Sequence, residues 1–264
     1  MGEPFLDQPG SKPATKNDAF LWIVFAFVGF LAAQVAGLIF TVVAADLAGK
    51  GSQLTAISKL AAPPEWYVGA SLVGAWVGFF GGPWFATLVA GSRRLFADLG
   101  IRFHTVDLVG IPIGIAAQYL IALLYSPFIK NLHNFNGPTT KITGGAHGGG
   151  FAVIAVLTIA GAPFFEELFF RGLLFKGLAR LFTPRTPGPG ARRALGVAAA
   201  ILVDGLLFGL AHFELDQFAG LALFGAILAA MSYRTGRLGM NILSHASFNA
   251  VAVVAVLNSR GVVH

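Results

Sequence analysis

Seven charged or polar residues lie inside apolar stretches of the C-terminal half of this chain, where such side chains are rare. They are Glu166, Glu167, Arg171, Asp204, His212, His245 and Asn249. A charged side chain at the centre of a bilayer costs about 2.5–3.5 kcal/mol on insertion scales, so ionisable residues there are functional candidates. The N-terminal half has few of this kind, with Gln34 and Gln118 as the main exceptions. We therefore expect the chemistry in the C-terminal half.

Helical spacing separates the two neighbouring glutamates. Glu167 and Arg171 are four residues apart, so they share a helical face and can form an ion pair, which we expect to be structural. Glu166 is turned by about 100° around the helix from Glu167. It is therefore predicted to remain available for chemistry.

The other polar residues fall on later apolar stretches. Phe208 and His212 share one helical face, while Asn241, His245 and Asn249 form a stripe on another helix. We expect Phe208 to pack, and we expect Asp204 to be structural because the sequence offers it no evident partner. Three helices thus present one carboxylate, two imidazoles and one carboxamide to a common interior.

This set of groups can hydrolyse a peptide bond without a covalent intermediate. A buried carboxylate can act as general base toward water, and a neighbouring imidazole can position that water. A second imidazole and an Asn amide can donate hydrogen bonds to the developing oxyanion. Alternatively, Glu166, His212 and His245 could bind zinc or another divalent metal that activates the water. The spacing leaves both mechanisms open, and no metal ligand is certain.

The elements that must position these groups are membrane-spanning helices. Of the 264 residues, 56% are hydrophobic and only 11% are charged, against about 25% charged in soluble domains. Cysteine is absent, which excludes disulfides, thiolate metal sites and a Cys nucleophile. The net charge of +6 fits basic loops that face anionic lipid, not a nucleic-acid partner.

About seven stretches reach the roughly 20 apolar residues that cross a bilayer, and an eighth or a re-entrant segment is the alternative. We predict an all-α, polytopic transmembrane bundle with its active site within the last four helices. The third span is interrupted by Pro112 and Pro127, and residues 92–104 are expected to form a short amphipathic helix at the membrane surface. The spans cover about 19–45, 66–90, 106–129, 151–178, 194–213, 218–233 and 238–257.

Loop charges predict the orientation. The N-terminal tail and the loops after the second, fourth and sixth spans hold 12 of the 18 Lys and Arg residues, Lys176 among them. This bias places the N-terminus in the cytoplasm. One feature conflicts with a common site: His212 lies about 19 residues beyond Arg193, roughly 28 Å along a helix, whereas His245 lies only about 8 residues beyond Arg237. The two imidazoles are therefore expected at different depths unless the fifth helix protrudes or tilts.

Three motifs carry a resemblance to a known family. Residues 166–171 read as EExxxR, Phe208 to His212 as FxxxH, and His245 to Asn249 as HxxxN. In this order on successive late helices, they resemble the CAAX protease and bacteriocin-processing (CPBP or ABI) family. That family includes the type II CAAX prenyl endopeptidases. The resemblance covers about residues 150–250.

The resemblance implies an all-helical intramembrane endopeptidase. By its pattern Glu166 would activate the water with the help of His212, His245 and Asn249 would stabilise the oxyanion, and Arg171 would orient the acidic pair. A glutamate-based mechanism and a metalloprotease are both described; we favour the former because Asn249 is a better oxyanion donor than metal ligand. The expected substrate is a peptide or membrane-associated protein at a bacterial plasma membrane.

Four segments and two rival functions complete the hypothesis. The predicted segments are a flexible cytoplasmic tail (1–18), N-terminal transmembrane helices with the interfacial helix (19–149), a catalytic transmembrane core (150–257) and a C-terminal tail (258–264). A proton- or cation-coupled transporter could use the same buried residues, although no internal repeat supports it. A silent membrane scaffold is the third interpretation. The oligomeric state is left open.

Overall fold

The computed structural model describes residues 15–126, 139, 142, 143, 145–183 and 190–261, and within these ranges the chain is helical with no strand. Among the described residues, seven helical segments are long and apolar enough to cross a membrane. This confirms the predicted all-α, multi-pass membrane bundle. The helices are α1 (Lys16–Leu47), α2 (Leu54–Ile57), α3 (Glu65–Ala90), α4 (Leu95–Leu99), α5 (Gly110–Tyr125), α6 (Gly148–Phe182), α7 (Gly190–Ala211), α8 (Phe218–Thr235) and α9 (Gly239–Gly261).

Helix α1 begins at Lys16, inside the predicted tail, because its start is capped. The Thr15 hydroxyl accepts from the Asp18 amide at 3.1 Å, and the Asp18 carboxylate accepts from the Thr15 amide at 2.6 Å. This capping box satisfies two backbone donors that a helix start otherwise leaves unpaired. The first 14 residues of the predicted tail lie outside the described part of the chain.

Two expectations differ from the structure: that Pro112 interrupts the third span, and that residues 92–104 form one amphipathic helix. Pro112 lies in the first turn of α5, where the missing N–H costs little, so it does not interrupt the helix. Pro127 lies outside the described residues. The predicted amphipathic segment forms a helix only over α4, which ends at Gly100 in the left-handed conformation (φ 77°). Asp98 and Leu99 of α4 are buried.

Helix α6 is the longest element of the C-terminal half, and it runs beyond the predicted end at residue 178. Lys176, predicted as a loop charge, is instead buried within α6, where its ammonium donates to the Asp98 carbonyl. Two π-helical turns interrupt α6, at Leu157–Gly161 and Leu168–Phe175, on either side of the glutamate pair. Such turns are rare and occur often at functional sites because they rotate the side chains that follow.

Small residues allow the helix pairs of the bundle to approach closely. A Cβ added at Gly78 of α3 would collide with the backbone of Ala33 in α1, and one at Gly114 of α5 would collide with that of Ser244 in α9. Close packing through small residues is typical of membrane helices. Helices α5 and α9 are also joined at their starts, where Arg237 binds Asp107 at 2.7 Å. Of these helices, α1, α3 and α9 pack directly against α6.

Candidate active site

Glu166 of α6 is the centre of a cavity in the C-terminal half. Its Oε2 atom is buried and accepts no hydrogen bond from any described residue. The Nε2 atoms of His245 and His212 face this oxygen at 3.8 Å and 4.0 Å. Two imidazoles therefore converge on one carboxylate oxygen, one from the residue after α7 and one from α9.

The other ring nitrogen of each histidine is held by an acceptor. Nδ1 of His212 lies 2.8 Å from the Phe208 carbonyl, and Nδ1 of His245 lies 2.9 Å from Oε1 of Glu167. A carbonyl and a carboxylate only accept, so the Nδ1 atoms carry the hydrogens and donate. In the neutral rings the Nε2 atoms are left as acceptors that point at Glu166.

The two imidazoles lie side by side, which agrees with the alternative that the fifth helix protrudes or tilts and not with imidazoles at different depths. His212 follows the last residue of α7, and its ring turns back one helical turn toward the Phe208 carbonyl. His245 lies only six residues after the start of α9. Both nevertheless lie within 4.0 Å of the same Glu166 oxygen.

Behind the cavity lies a sealed cluster of charges, which we call the ion cluster. Arg171 donates to Oε1 of Glu167 at 2.9 Å and to the Gly225 carbonyl at 3.0 Å, and its Nε lies 3.4 Å from Asp204. The three charged side chains are fully buried. The predicted Glu167–Arg171 pair is thus present, and Asp204 does have a partner, which the sequence did not reveal.

Asn241 completes the ion cluster instead of facing the cavity. Its Nδ2 donates to the Leu228 carbonyl at 2.6 Å and to Oε2 of Glu167 at 3.4 Å. Phe208 packs as expected, with its ring 4.4 Å from the Arg171 guanidinium and 4.7 Å from the His212 ring. A guanidinium against an aromatic face gains cation–π attraction, which is larger in a desolvated site.

The Asn249 side chain is hydrogen-bonded to a backbone carbonyl that has no N–H donor within its own helix. Its Nδ2 donates to the Thr158 carbonyl at 2.9 Å. Thr158 lies in the first π-helical turn of α6, where the amide five residues later should be the donor. That residue is Pro163, which has no N–H. The Thr158 carbonyl is therefore available to orient the Asn249 amide.

The cavity has a volume of about 210 Å³ and contains the four predicted catalytic residues. Glu166, His212, His245 and Asn249 line it together with Phe208, whereas Glu167, Arg171 and Asp204 do not. Gln118 of α5, also on the wall, has a buried Oε1 with no partner among the described residues. Sequence reasoning noted Gln118 only as an isolated polar residue and missed Thr158 and Pro163 altogether.

The side chains as placed fit a water molecule better than a zinc ion. Zinc lies about 2.0–2.2 Å from its ligands, which brings the donor atoms of a tetrahedral site to within about 3.4 Å of each other. The carboxylate–imidazole separations here are 3.8 Å and 4.0 Å. No group of three His, Asp or Glu residues in the described ranges is arranged to hold a metal ion. Whether the protein uses a divalent metal stays a prediction for experiment.

Comparison with known proteins supports the predicted resemblance. Residues 148–251 match the family model described as type II CAAX prenyl endopeptidase Rce1-like. The match begins at the start of α6 and includes all three motifs. It covers the cavity residues that α6 to α9 contribute, except Ala252. No curated protein and no solved structure matches the chain.

Proposed function

We propose that this chain, whose residues 148–251 match the type II CAAX prenyl endopeptidase Rce1-like family model, is an intramembrane endopeptidase that uses a glutamate-activated water. The observation that carries the proposal is the buried Glu166 oxygen, which faces two imidazole nitrogens and is without a protein donor in the described ranges. The substrate is a peptide or a membrane-associated protein, prenylated or not.

Glu166 acts as the general base. Separations of 3.8 Å and 4.0 Å are too long for direct hydrogen bonds but suit a water shared between the carboxylate and the imidazoles. Glu166 takes one proton from this water as its oxygen attacks the carbonyl carbon of the peptide bond. The Nε2 acceptor of His212 takes the second hydrogen bond of the water and so orients the attacking lone pair.

Asn249 and His245 stabilise the oxyanion of the tetrahedral intermediate. The Asn249 amide has two hydrogens, and only one is directed to the Thr158 carbonyl, so the other can be donated. His245 donates from Nε2 only when it is protonated, because its Nδ1 hydrogen is directed to Glu167. The Glu167 carboxylate, 2.9 Å away, stabilises that cation.

Collapse of the intermediate returns the site to its starting state. The protonated Glu166 gives its proton to the leaving nitrogen as the C–N bond breaks. One water is consumed, a carboxylic acid and an amine are formed, and the carboxylate is restored. Gln118 is well placed to bind the substrate backbone, because its unpaired Oε1 can accept from a peptide N–H at the cavity wall.

The test is proteolysis of a fluorogenic peptide library by the full chain purified in detergent. We expect wild-type cleavage to be lost in Glu166→Gln and kept in Glu65→Gln, the same chemical change at the start of α3, away from the cavity. Cleavage that persists in Glu166→Gln contradicts the catalytic assignment. Absence of cleavage in all variants would favour the transporter or scaffold interpretation.

We also place the protein in a bacterial plasma membrane with its N-terminus in the cytoplasm. The support is the distribution of basic residues between the two ends of the bundle. A reporter fused to the N-terminus and active only in the cytoplasm tests this orientation. Activity of that reporter only in the exported compartment would contradict it.

A further inference from the structure

Trp76 of α3 fills a space that only a glycine at position 161 of α6 can leave. A Cβ atom added at Gly161 would lie 2.3 Å and 2.7 Å from two carbons of the Trp76 indole, and real Cβ atoms essentially never come within 3.0 Å of a neighbour. Gly161 is the last residue of the first π-helical turn of α6. The indole therefore lies directly against that turn.

The same indole stacks on the residue before Glu166. The rings of Trp76 and Phe165 lie 4.6 Å apart between their centroids, with 17° between their planes. Phe79, about one turn later in α3, stacks in the same way on Phe169 at 4.7 Å and 29°. Aromatic pairs at this separation attract each other beyond the area that they bury. Helix α3 thus contacts α6 on both sides of the glutamate pair.

The local sequence does not hold this π-helical turn by itself. The Ala162 amide donates to the Leu157 carbonyl, five residues earlier. The next bond of the same kind is missing, because Pro163 has no N–H. Gly161 is a poor helix former, since it has more backbone freedom to lose than other residues. The turn therefore needs support from outside α6, and the Trp76 indole is in contact with it.

Two groups of the proposed site depend on where this turn holds the chain. The Thr158 carbonyl of the turn accepts from Asn249 at 2.9 Å, and Glu166 follows eight residues later. A displaced turn would move both the carbonyl and the carboxylate relative to α7 and α9. Leu72, one turn before Trp76 on the same face of α3, lines the cavity, whereas Trp76 does not. Any effect of the indole on catalysis must therefore pass through α6.

We infer that Trp76 is a positioning residue for the proposed reaction, which acts through the backbone of α6 and not by contact with the substrate. It packs against the first π-helical turn and stacks on Phe165. It thereby holds the carbonyl of that turn on Asn249 and the Glu166 carboxylate opposite the imidazoles. The inference rests on the proposed function for its catalytic consequence. It extends the site beyond residues 148–251, because α3 lies outside the range that matches the family model.

Two substitutions that compensate in size test the contact. Gly161→Ala adds a methyl group where the indole lies, so the ring or the turn must move by about 1 Å, which can cost about 10²-fold in rate. Trp76→Phe shortens the side chain and makes room for that methyl group. In proteolysis by the full chain purified in detergent, we expect Gly161→Ala to lower kcat by about 10²-fold at unchanged KM. The double variant should recover most of the loss.

A kcat of Gly161→Ala equal to that of the wild type overturns the inference, and so does a double variant that is no more active than Gly161→Ala. If Gly161→Ala does not accumulate, Trp76→Leu takes its place, with Trp84→Leu as the matched control. Trp84 is 45% exposed on the same helix, and its ring lies against Phe80 and Phe85 of α3 itself. Equal kcat values per folded molecule for the two leucine variants overturn the inference, because a merely structural role would lower Tm alone.

The side-chain amide of Asn249 provides a readout that requires no catalysis. In protein labelled with nitrogen-15 at asparagine, its NMR signals are the pair that Asn249→Ala removes. We expect these signals to shift in Gly161→Ala and to return toward the wild-type position in the double variant. Trp76→Leu should shift them and Trp84→Leu should not, and unshifted signals in both Gly161→Ala and Trp76→Leu overturn the inference. If the wild type cleaves no peptide, the proposed function fails while these signals still decide whether Trp76 positions Asn249.

Discussion

Glu166 and Glu167 are neighbours in the chain but lie in opposite surroundings. Glu167 is fully buried in the ion cluster, where Arg171, His245 and Asn241 all bind its carboxylate. Glu166 faces the cavity and accepts no hydrogen bond at its buried oxygen from the described residues. One helical step thus separates a carboxylate that organises the structure from one that is available to a water. Stability and catalysis should therefore respond to different substitutions.

Glu166→Gln is expected to show the largest difference between its effect on activity and its effect on stability. Its turnover should fall by about 10⁴-fold, the upper end for loss of a general base, because an amide cannot take the proton of the water. Its thermal unfolding in detergent should change little, since the buried Glu166 oxygen accepts no hydrogen bond from the described residues. Glu167→Gln, the matched change one residue away, should lower both activity and Tm. Equal effects of the two variants on activity and Tm would show that the two glutamates do not differ in role.

The ion cluster is tested by Arg171→Leu. The substitution leaves Glu167 and Asp204 buried without their cation, which should cost about 3–5 kcal/mol of stability. Denaturant unfolding in detergent measures the loss, with Arg193→Leu, an exposed residue of α7, as control. A stability equal to that of the control would show that the cluster is not held by charge.

Asn249→Ala is expected to act on the cavity alone. It should lower kcat by about 10²–10³-fold, the usual cost of one oxyanion donor, with little change in KM or in unfolding temperature. Asn258→Ala, exposed on the same helix, is the control. A rise in KM at constant kcat would assign Asn249 to substrate binding instead.

Pro163→Ala should change stability and activity in opposite directions. Removing a proline from within a helix can recover up to about 3 kcal/mol, so the variant should unfold at a higher temperature. The new amide can bind the Thr158 carbonyl, which should loosen Asn249 and lower kcat by less than Asn249→Ala does. Unchanged kcat would mean that the Thr158 carbonyl does not position Asn249.

The smallest effect is expected from a chelator. Peptide cleavage by the purified protein should be the same with and without EDTA, because the cavity groups as placed fit a water better than a zinc ion. Loss of activity that zinc restores would establish the metal mechanism and assign Glu166, His212 and His245 as ligands.

Helical periodicity and motif order predicted much of this arrangement. Charged residues in apolar stretches located the site, and the four-residue spacing of Glu167 and Arg171 predicted their pair correctly. These successes involve residues on one helix or types that are costly in lipid. The roles of Glu166, His212, His245 and Asn249 stay predictions until they are tested.

Contacts between helices could not be predicted from the sequence. Asp204 meets Arg171 across 33 positions, and Asn241 turns toward Glu167, because helix rotation and tilt are set by packing. The Thr158 carbonyl was missed because a backbone atom has no signature in residue type. Only the Pro163 five residues later could have indicated it.

The pairing of Glu167 with Arg171 within one helix also bears on biosynthesis. Because the pair lies within α6 alone, its two charges can neutralise each other as α6 is inserted, before α7 to α9 have been made. His245 and Asn249 follow about 80 residues later in the last helix. A partly synthesised chain therefore has the proposed general base but not the proposed oxyanion donors, and under the proposed mechanism hydrolysis would have to wait until synthesis has passed α9.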